Sequence, residues 1–487
     1  MTTQTPGTSS SPRATARDWI GLTAVLAATF MGQVDGFIVT IAAPSVQRDL
    51  PAGFGQVQLI GASYVLACAA GMITGGRLGD RYGRRRVFLL GVAAFTLASL
   101  VCGTAPDAEV LIAARFAQGL AAAALVPQEL ALVRSTFLDE AQRAKAIGAY
   151  GVVLGLGVIF GLAGGGFLVH LDIAGLGWRS AFLINVPIGV LILLLGRAAI
   201  AESRAQHRPG LDLPGVALTA VALPALLLPI IMGQEEGAAW WLWLTPVIAV
   251  AAVPALLARQ RAMAAGGAAP LFPPRVFRPR GTRFGLIAIM TFFGGNAGLF
   301  LVFTYYVQTG LGRDPLAAGL MFVPLGVGFA TGSAVSGRLL TRFGPKLPVY
   351  GCGLLAAALL THLAVVQAAP QSQTVLLGVV IGAVGLVEGL VVSPLIASIF
   401  TQVDPDDAGA LSGAAATATQ FGLATGFAAV GSFYRFVLGA TPGTPQAPTA
   451  LTEHVRAYCS AIGVLVVLAL LTGLLCARGS SARTPTG

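Results

Sequence analysis

Asp35 lies inside an apolar segment spanning 20–43, with no lysine or arginine within a dozen residues on either side. Arg115, Gln118 and Glu129 fall in a second apolar run (108–133), and Glu388 in a third (374–400). A charged side chain in hydrocarbon is costly unless it meets a partner or faces a water-filled path. At 100° per residue Arg115, Gly119, Ala122, Val126 and Glu129 share one helical face, with Gln118 at its edge. Arg115 and Glu129 are ~21 Å apart along that axis. If the first and fourth helices run in opposite directions, Asp35 and Arg115 reach about the same depth. Burial favours a neutral carboxyl and a nearby guanidinium favours a charged one. A group under both influences can exchange a proton as its surroundings open and close. Asp35, Arg115 and Glu129 are therefore read as a proton-coupling set. The plainer readings are an interhelical hydrogen bond for Arg115 and an interfacial carboxylate for Glu129.

A second set has the chemistry of cargo contact. Glu388 is more central in its run than any other carboxylate, and can meet a cationic group or sit protonated against a neighbour. The ninth apolar run (284–308) carries Phe293, Asn296, Phe300 and Tyr306, aromatic and amide groups suited to flat or cationic molecules. With Glu388 and Gln118 these form the expected substrate-binding residues. Gly32, Gly36 and Thr40 make a separate small-residue stripe, expected to pack against a neighbouring helix.

The elements that must hold these groups follow from composition. The chain has 487 residues, 55% hydrophobic and 10% charged, with mean hydropathy +0.80. Soluble domains carry about 25% charged residues. The chain reads as an all-α integral membrane protein with fourteen runs of roughly 20 or more mostly apolar residues. The net charge of +10 does not signal nucleic acid, because the arginines crowd into alternate short loops. Arg81, Arg84, Arg85 and Arg86 make one such loop, which places those loops and both termini in the cytoplasm. The two lysines, Lys145 and Lys346, stand in no phosphate-cradling motif, so no ATP site is expected. Five cysteines and four histidines are scattered without metal-ligand spacing, and no nucleophile motif appears. No enzyme activity, cofactor or metal is expected.

"GRLGDRYGRRRV" (76–87) returns as "GRLLTRFGPKLPV" (337–349), displaced by 261 residues. A parallel repeat of this kind marks two pseudo-symmetric halves with a site between them. The expected layout is a tail (1–18), a six-helix bundle (19–204), two inserted helices with a linker (205–283), a second six-helix bundle (284–477) and a tail (478–487).

With "GGRLGDRYGRRRVFLLG" (75–91), "LIAARFAQGLAAAALVP" (111–127), "GVIFGLAGG" (157–165) and "WRSAFLINVPIG" (178–189), the chain resembles the major facilitator superfamily, in particular its fourteen-helix drug/proton antiporter branch. The resemblance covers nearly the whole chain. It implies a major facilitator fold arranged 6+2+6, working by alternating access. It implies a gating role for Gly76, Asp80, Arg81, Gly83 and Arg84, and an antiporter glycine motif at Gly157, Gly161 and Gly165. Its cargo would be hydrophobic or cationic small molecules, exchanged for protons across the cell membrane by a monomer driven by the proton motive force. Leu162 stands where the family has proline, Thr40 where asparagine is usual, and Thr341 replaces the aspartate of the second loop copy. A proton-coupled importer of a small metabolite and a non-transporting membrane sensor are the competing readings.

Overall fold

The structure is a computed structural model that describes residues 14–204, 210–233, 240–267, 270–271, 273–368, 374–403, 408–439 and 451–480. Most of the two expected tails, 1–13 and 481–487, lies outside these. Among the described residues, thirteen helical stretches are long and apolar enough to cross a membrane. An apolar chain in lipid must satisfy its own backbone, and the helix does so within one segment.

The helices are α1 (Ala16–Asp49), α2 (Phe54–Tyr82), α3 (Arg84–Gly103), α4 (Ala108–Thr136), α5 (Glu140–Leu171), α6 (Gly177–Ala199), α7 (Leu213–Met232) and α8 (Trp240–Ala265). They continue with α9 (Arg280–Gly310), α10 (Pro315–Met321 and Val323–Phe343), α11 (Leu347–Ala368), α12 (Thr374–Phe400), α13 (Ala408–Leu438) and α14 (Leu451–Ser480). The 54-residue stretch Pro315–Ala368 contains both α10 and α11, turned at Gly344 with φ 58°. Several helices overrun their apolar cores. α1 continues through Pro44, and α5 starts at Glu140 because the Asp139 side chain accepts from the Gln142 N–H at 2.9 Å. The expected arginine loop between α2 and α3 shrinks to the single residue Gly83, whose φ of 112° favours glycine.

The same pairings occur twice. α2 packs on α4, α3 on α4 and α6, and α1 on α5 and α6. In the later helices α10 packs on α12, α11 on α12 and α14, and α9 on α13 and α14. The two sets meet along α2–α13 and along α5–α10. α7 and α8 pair with each other, and α7 lies on both α2 and α13. One apolar cluster runs from Leu66 and Phe88 through Leu227 and Ile231 of α7 to Ala424 and Ala428 of α13.

The base of the α7–α8 pair is tied by Asp212. It caps α7 by accepting from the Gly215 N–H at 3.0 Å, and accepts from Arg259 Nε at 2.7 Å and Gln260 Nε2 at 2.9 Å. Burial pushes this carboxyl up, but those bonds outweigh it and hold the group below its ordinary 3.8. Arg77 of α2 donates to the carbonyls of Gly210 (3.1 Å) and Pro270 (2.6 Å), fastening the inserted pair to the loop signature.

Candidate functional site: a two-carboxylate cavity beside a buried ion pair

A cavity of about 930 Å³ lies between α1, α2, α4 and α5 on one side and α9, α10, α12 and α13 on the other. Its wall is mostly apolar and aromatic, with Phe37, Phe293, Phe300, Phe329 and Phe427 contributing rings. Two charged side chains line it, Glu129 and Glu388, one from each helix set, and no lysine, arginine or histidine among the described residues does so.

Each carboxylate is oriented by donors. Glu129 Oε2 accepts from Thr29 Oγ1 of α1 at 2.9 Å and from the Tyr150 hydroxyl of α5 at 3.1 Å. Glu388 Oε2 accepts from Asn296 Nδ2 of α9 at 3.0 Å. Both glutamates are almost fully buried. Buried carboxylates without a basic partner can bind a cation or a proton, and cannot hold a second anion. Glu129 is thus a cavity group and not an interfacial one.

Asp35 is elsewhere. It has no exposed surface and no place in the cavity wall. Its Oδ2 accepts from Arg115 Nη1 at 2.6 Å, and its Oδ1 from Gln118 Nε2 and Asn185 Nδ2, both at 2.8 Å. Gln118 also takes a bond from Arg115 Nη1 at 2.6 Å and donates to Ser99 Oγ at 2.7 Å. Arg115 further donates to the Ile60 carbonyl at 3.3 Å, and its guanidinium carbon stands 4.2 Å from the centre of the Tyr64 ring. Tyr64 also lines the cavity, so this residue stands between the cavity and the Asp35 cluster. The expected Asp35–Arg115 pairing is present.

Three expectations about position are corrected. Gln118 sits in the Asp35 cluster, because its amide is held on both sides by Asp35, Ser99 and Arg115. Tyr306 is buried away from the cavity and stacks on Tyr458, ring centres 4.4 Å apart and nearly parallel. Gly32, Gly36 and Thr40 are cavity lining and not a packing stripe, and nothing lies within 4 Å of a Cβ placed on either glycine. The close helix contact is made from the other side. Gly157, Gly161 and Gly165 of α5 seat Gln33, Phe37 and Ile38 of α1, and a Cβ there would come within 2.5–2.8 Å of those side chains.

In the loop signature Asp80, near the end of α2, pairs with Arg84, the first residue of α3, at 3.0 Å across the Gly83 turn. Arg81 lies over the Tyr82 ring instead of joining an Asp80 network, and Gly76 lies against Pro127. A Cβ on Gly83 would come 2.6 Å from Glu202, whose carboxylate accepts from the Arg85 N–H at 3.1 Å. These bonds stay inside the first helix set.

Besides the α2–α13 seam, the sets are joined by side-chain hydrogen bonds at the end of the cavity away from the arginine-rich loops. There Tyr305 donates to Gln47 Oε1 at 3.0 Å and Gln308 Nε2 to the Ile41 carbonyl at 2.9 Å. α5 and α10 touch through Gly319, where a Cβ would stand 2.6 Å from the Leu162 carbonyl oxygen. Leu162 lies in a π-helical turn, Phe160–Gly164, so the site of the missing proline keeps a distortion.

Asn185, Ser99, Tyr64, Thr29 and Tyr150 escaped the sequence reading. Asn185 had a signal, an amide in the apolar run 180–196. Serine, threonine and tyrosine occur too often in helices to stand out.

Residues 25–427 match the Major Facilitator Superfamily. The chain is 35% identical over 494 aligned positions to the puromycin resistance protein of Streptomyces alboniger, covering 97% of this chain and 94% of that one. It is 34% identical over 437 residues to a probable actinorhodin transporter of Streptomyces coelicolor, covering 89% and 75%. Its fold is like that of a bacterial homologue of the human lysosomal transporter Spinster, with TM-score 0.70 at 16% identity over 98% of this chain and all of that one.

Proposed function

The chain belongs to the major facilitator superfamily, a family of transporters, and from that premise we propose that it is a proton-coupled exporter of hydrophobic, cationic small molecules, antibiotics among them. The observation that carries this reading is the cavity: aromatic walls, two carboxylates and no basic side chain among the described residues. Such a wall favours a flat cation and repels an anion. The relatives named for puromycin resistance and actinorhodin transport support the export direction.

In this reading α10 and α11 are separate crossings, giving fourteen spans as two six-helix bundles, 19–204 and 284–477, with the inserted pair between them. The arginine-rich loops and both termini face the cytoplasm of a cell whose plasma membrane holds the chain. Asp35, with Arg115, exchanges the driving proton behind Tyr64, while Glu129 and Glu388 meet the cargo. A membrane potential supplies ~2.3 kcal/mol per charge per 100 mV.

A growth-inhibition panel in a pump-deficient host tests the proposal. Expression should raise tolerance to cationic lipophilic compounds, and a proton uncoupler should remove the gain. Tolerance that survives the uncoupler, or that extends to anionic compounds alone, contradicts it.

A further inference from the structure

A second cavity, of about 20 Å³, lies inside the later helix set, between α9, α11, α12 and α14. That is room for one water-sized occupant. Its wall is largely leucine, and its polar side chains are Thr291, Asn296, Glu388 and Thr472. Asn296 and Glu388 also line the large cavity, so their hydrogen-bonded pair stands between the two spaces.

These groups are rich in acceptors and short of donors. Thr291 Oγ1 and Thr472 Oγ1 are 2.7 Å apart, and each hydroxyl also reaches a carbonyl of its own helix, Ala288 at 3.1 Å and Leu468 at 2.8 Å. Their two hydrogens are committed there, while oxygen lone pairs are left over. Asn296 already donates to Glu388. Glu388 is 3% exposed, and no lysine, arginine or histidine among the described residues lines the small cavity. The earlier set meets the same need with a fixed cation. Between its corresponding helices α1, α3, α4 and α6, the Arg115 guanidinium stands against Asp35, with Ser99, Gln118 and Asn185 around them. Asn296 follows Asp35 by 261 residues, the displacement of the loop signature. The later set therefore gathers a carboxylate and neutral oxygens around a space where the earlier set holds its own positive charge.

We propose that the small cavity binds one bare alkali cation, sodium or lithium, which enters from the large cavity and is held by the Glu388 carboxylate and the Asn296 amide oxygen, with the Thr291–Thr472 hydroxyl pair as the far wall. A hydrated ion does not fit a space of one water. A monovalent cation neutralises one buried carboxylate, whereas a divalent one leaves an unpaired charge in an apolar wall. Among the described residues no group of three or more His, Cys, Asp or Glu gathers to suit a transition metal. The site rests on the geometry of the later helix set and not on the export reading.

The test uses the full chain in lipid nanodiscs, with radioactive sodium as the probe in choline chloride at constant ionic strength. Binding should saturate at a single ion per chain, and unlabelled sodium or lithium should displace it while choline does not. Glu388→Gln should abolish the saturable binding. Thr291→Val with Thr472→Val keeps the shape of both side chains and removes both members of the hydroxyl pair, a change that is close to neutral for stability. This double variant should bind sodium several-fold more weakly, with thermal unfolding in choline unchanged. No saturable binding by the wild type would overturn the site. Sodium bound at wild-type strength by Glu388→Gln or by the double valine variant would place the ion outside the small cavity and would overturn it as well. Neither measurement needs transport, so a failed export reading shows separately in the uncoupler experiment.

Discussion

Asp35 and Asn296 stand as far apart in the chain as the two copies of the loop signature, and each side chain crosses to the fourth helix of its own set. Asp35 accepts from Arg115 of α4 at 2.6 Å, and Asn296 donates to Glu388 of α12 at 3.0 Å. The corresponding positions thus do different work. The charge of Asp35 is sealed in a salt bridge, whereas Asn296 is the neutral donor to Glu388, a charge that lines the cavity.

Asp35→Asn should abolish proton-driven export and lower stability. Breaking a buried ion pair from one side costs about 3–5 kcal/mol, because the other charge stays buried. Adding Arg115→Gln should recover part of the thermal stability and none of the transport. Thermal unfolding and cargo uptake into inverted vesicles read the two effects apart. Transport by Asp35→Asn at the wild-type rate would sink the coupling role.

Glu129→Gln and Glu388→Gln keep shape and can still accept from Tyr150 and Asn296. Each should weaken export of monocationic cargo about tenfold, or ~1.4 kcal/mol, and change neutral cargo little. Concentration-dependent export of a matched cationic and neutral pair decides this. Equal losses for both would contradict charge recognition.

Tyr64→Ala should open the wall between the cavity and the Asp35 cluster. Proteoliposomes carrying it should leak protons without cargo, whereas Tyr64→Phe, which keeps the ring over Arg115, should stay tight. A pH-sensitive dye trapped inside the vesicles reports the leak. Tight Tyr64→Ala vesicles would deny the ring its sealing role.

Gly319→Val should clash with the Leu162 carbonyl and cost about 1–3 kcal/mol, with slowed transport. Gly148→Val, in open space, should be near neutral. Turnover and thermal unfolding of the two variants, measured side by side, check the contrast.

Asp212→Asn should loosen the α7–α8 base. The wild-type carboxyl is held below 3.8, so its stabilising bonds are present above that value and lost only as pH falls through the lowered one. The stability gap between wild type and variant should therefore be constant from pH 8 to pH 5. A gap that shrinks within that range would contradict the tie.

The sequence located the helices and matched Asp35 to Arg115 because helix direction and residue count set depth. It misjudged the faces. Gly32 and Gly36 look the same whether a helix packs on them or a cavity runs past, and only the position of α5 tells which. Gln118 reads as cavity-lining on a helical wheel, yet its amide turns to Asp35 and Ser99, groups from helices far away in sequence. Proximity along α9 groups Tyr306 with Phe293 and Phe300, but it lies six residues beyond Phe300, where its ring is buried against Tyr458 of α14. Nothing in the sequence marks Tyr64, because its place depends on Arg115 of α4 packing on its ring while the residue lines the cavity.

The π-helical turn at Phe160–Gly164 interrupts the α-helical hydrogen-bond pattern of α5 without an imino acid. A proline at 162 would erase an amide hydrogen there, whereas leucine retains it. That amide belongs to the residue whose carbonyl faces Gly319 of α10, so deuterium uptake there would read local opening of the α5–α10 contact at a position where a proline would be silent.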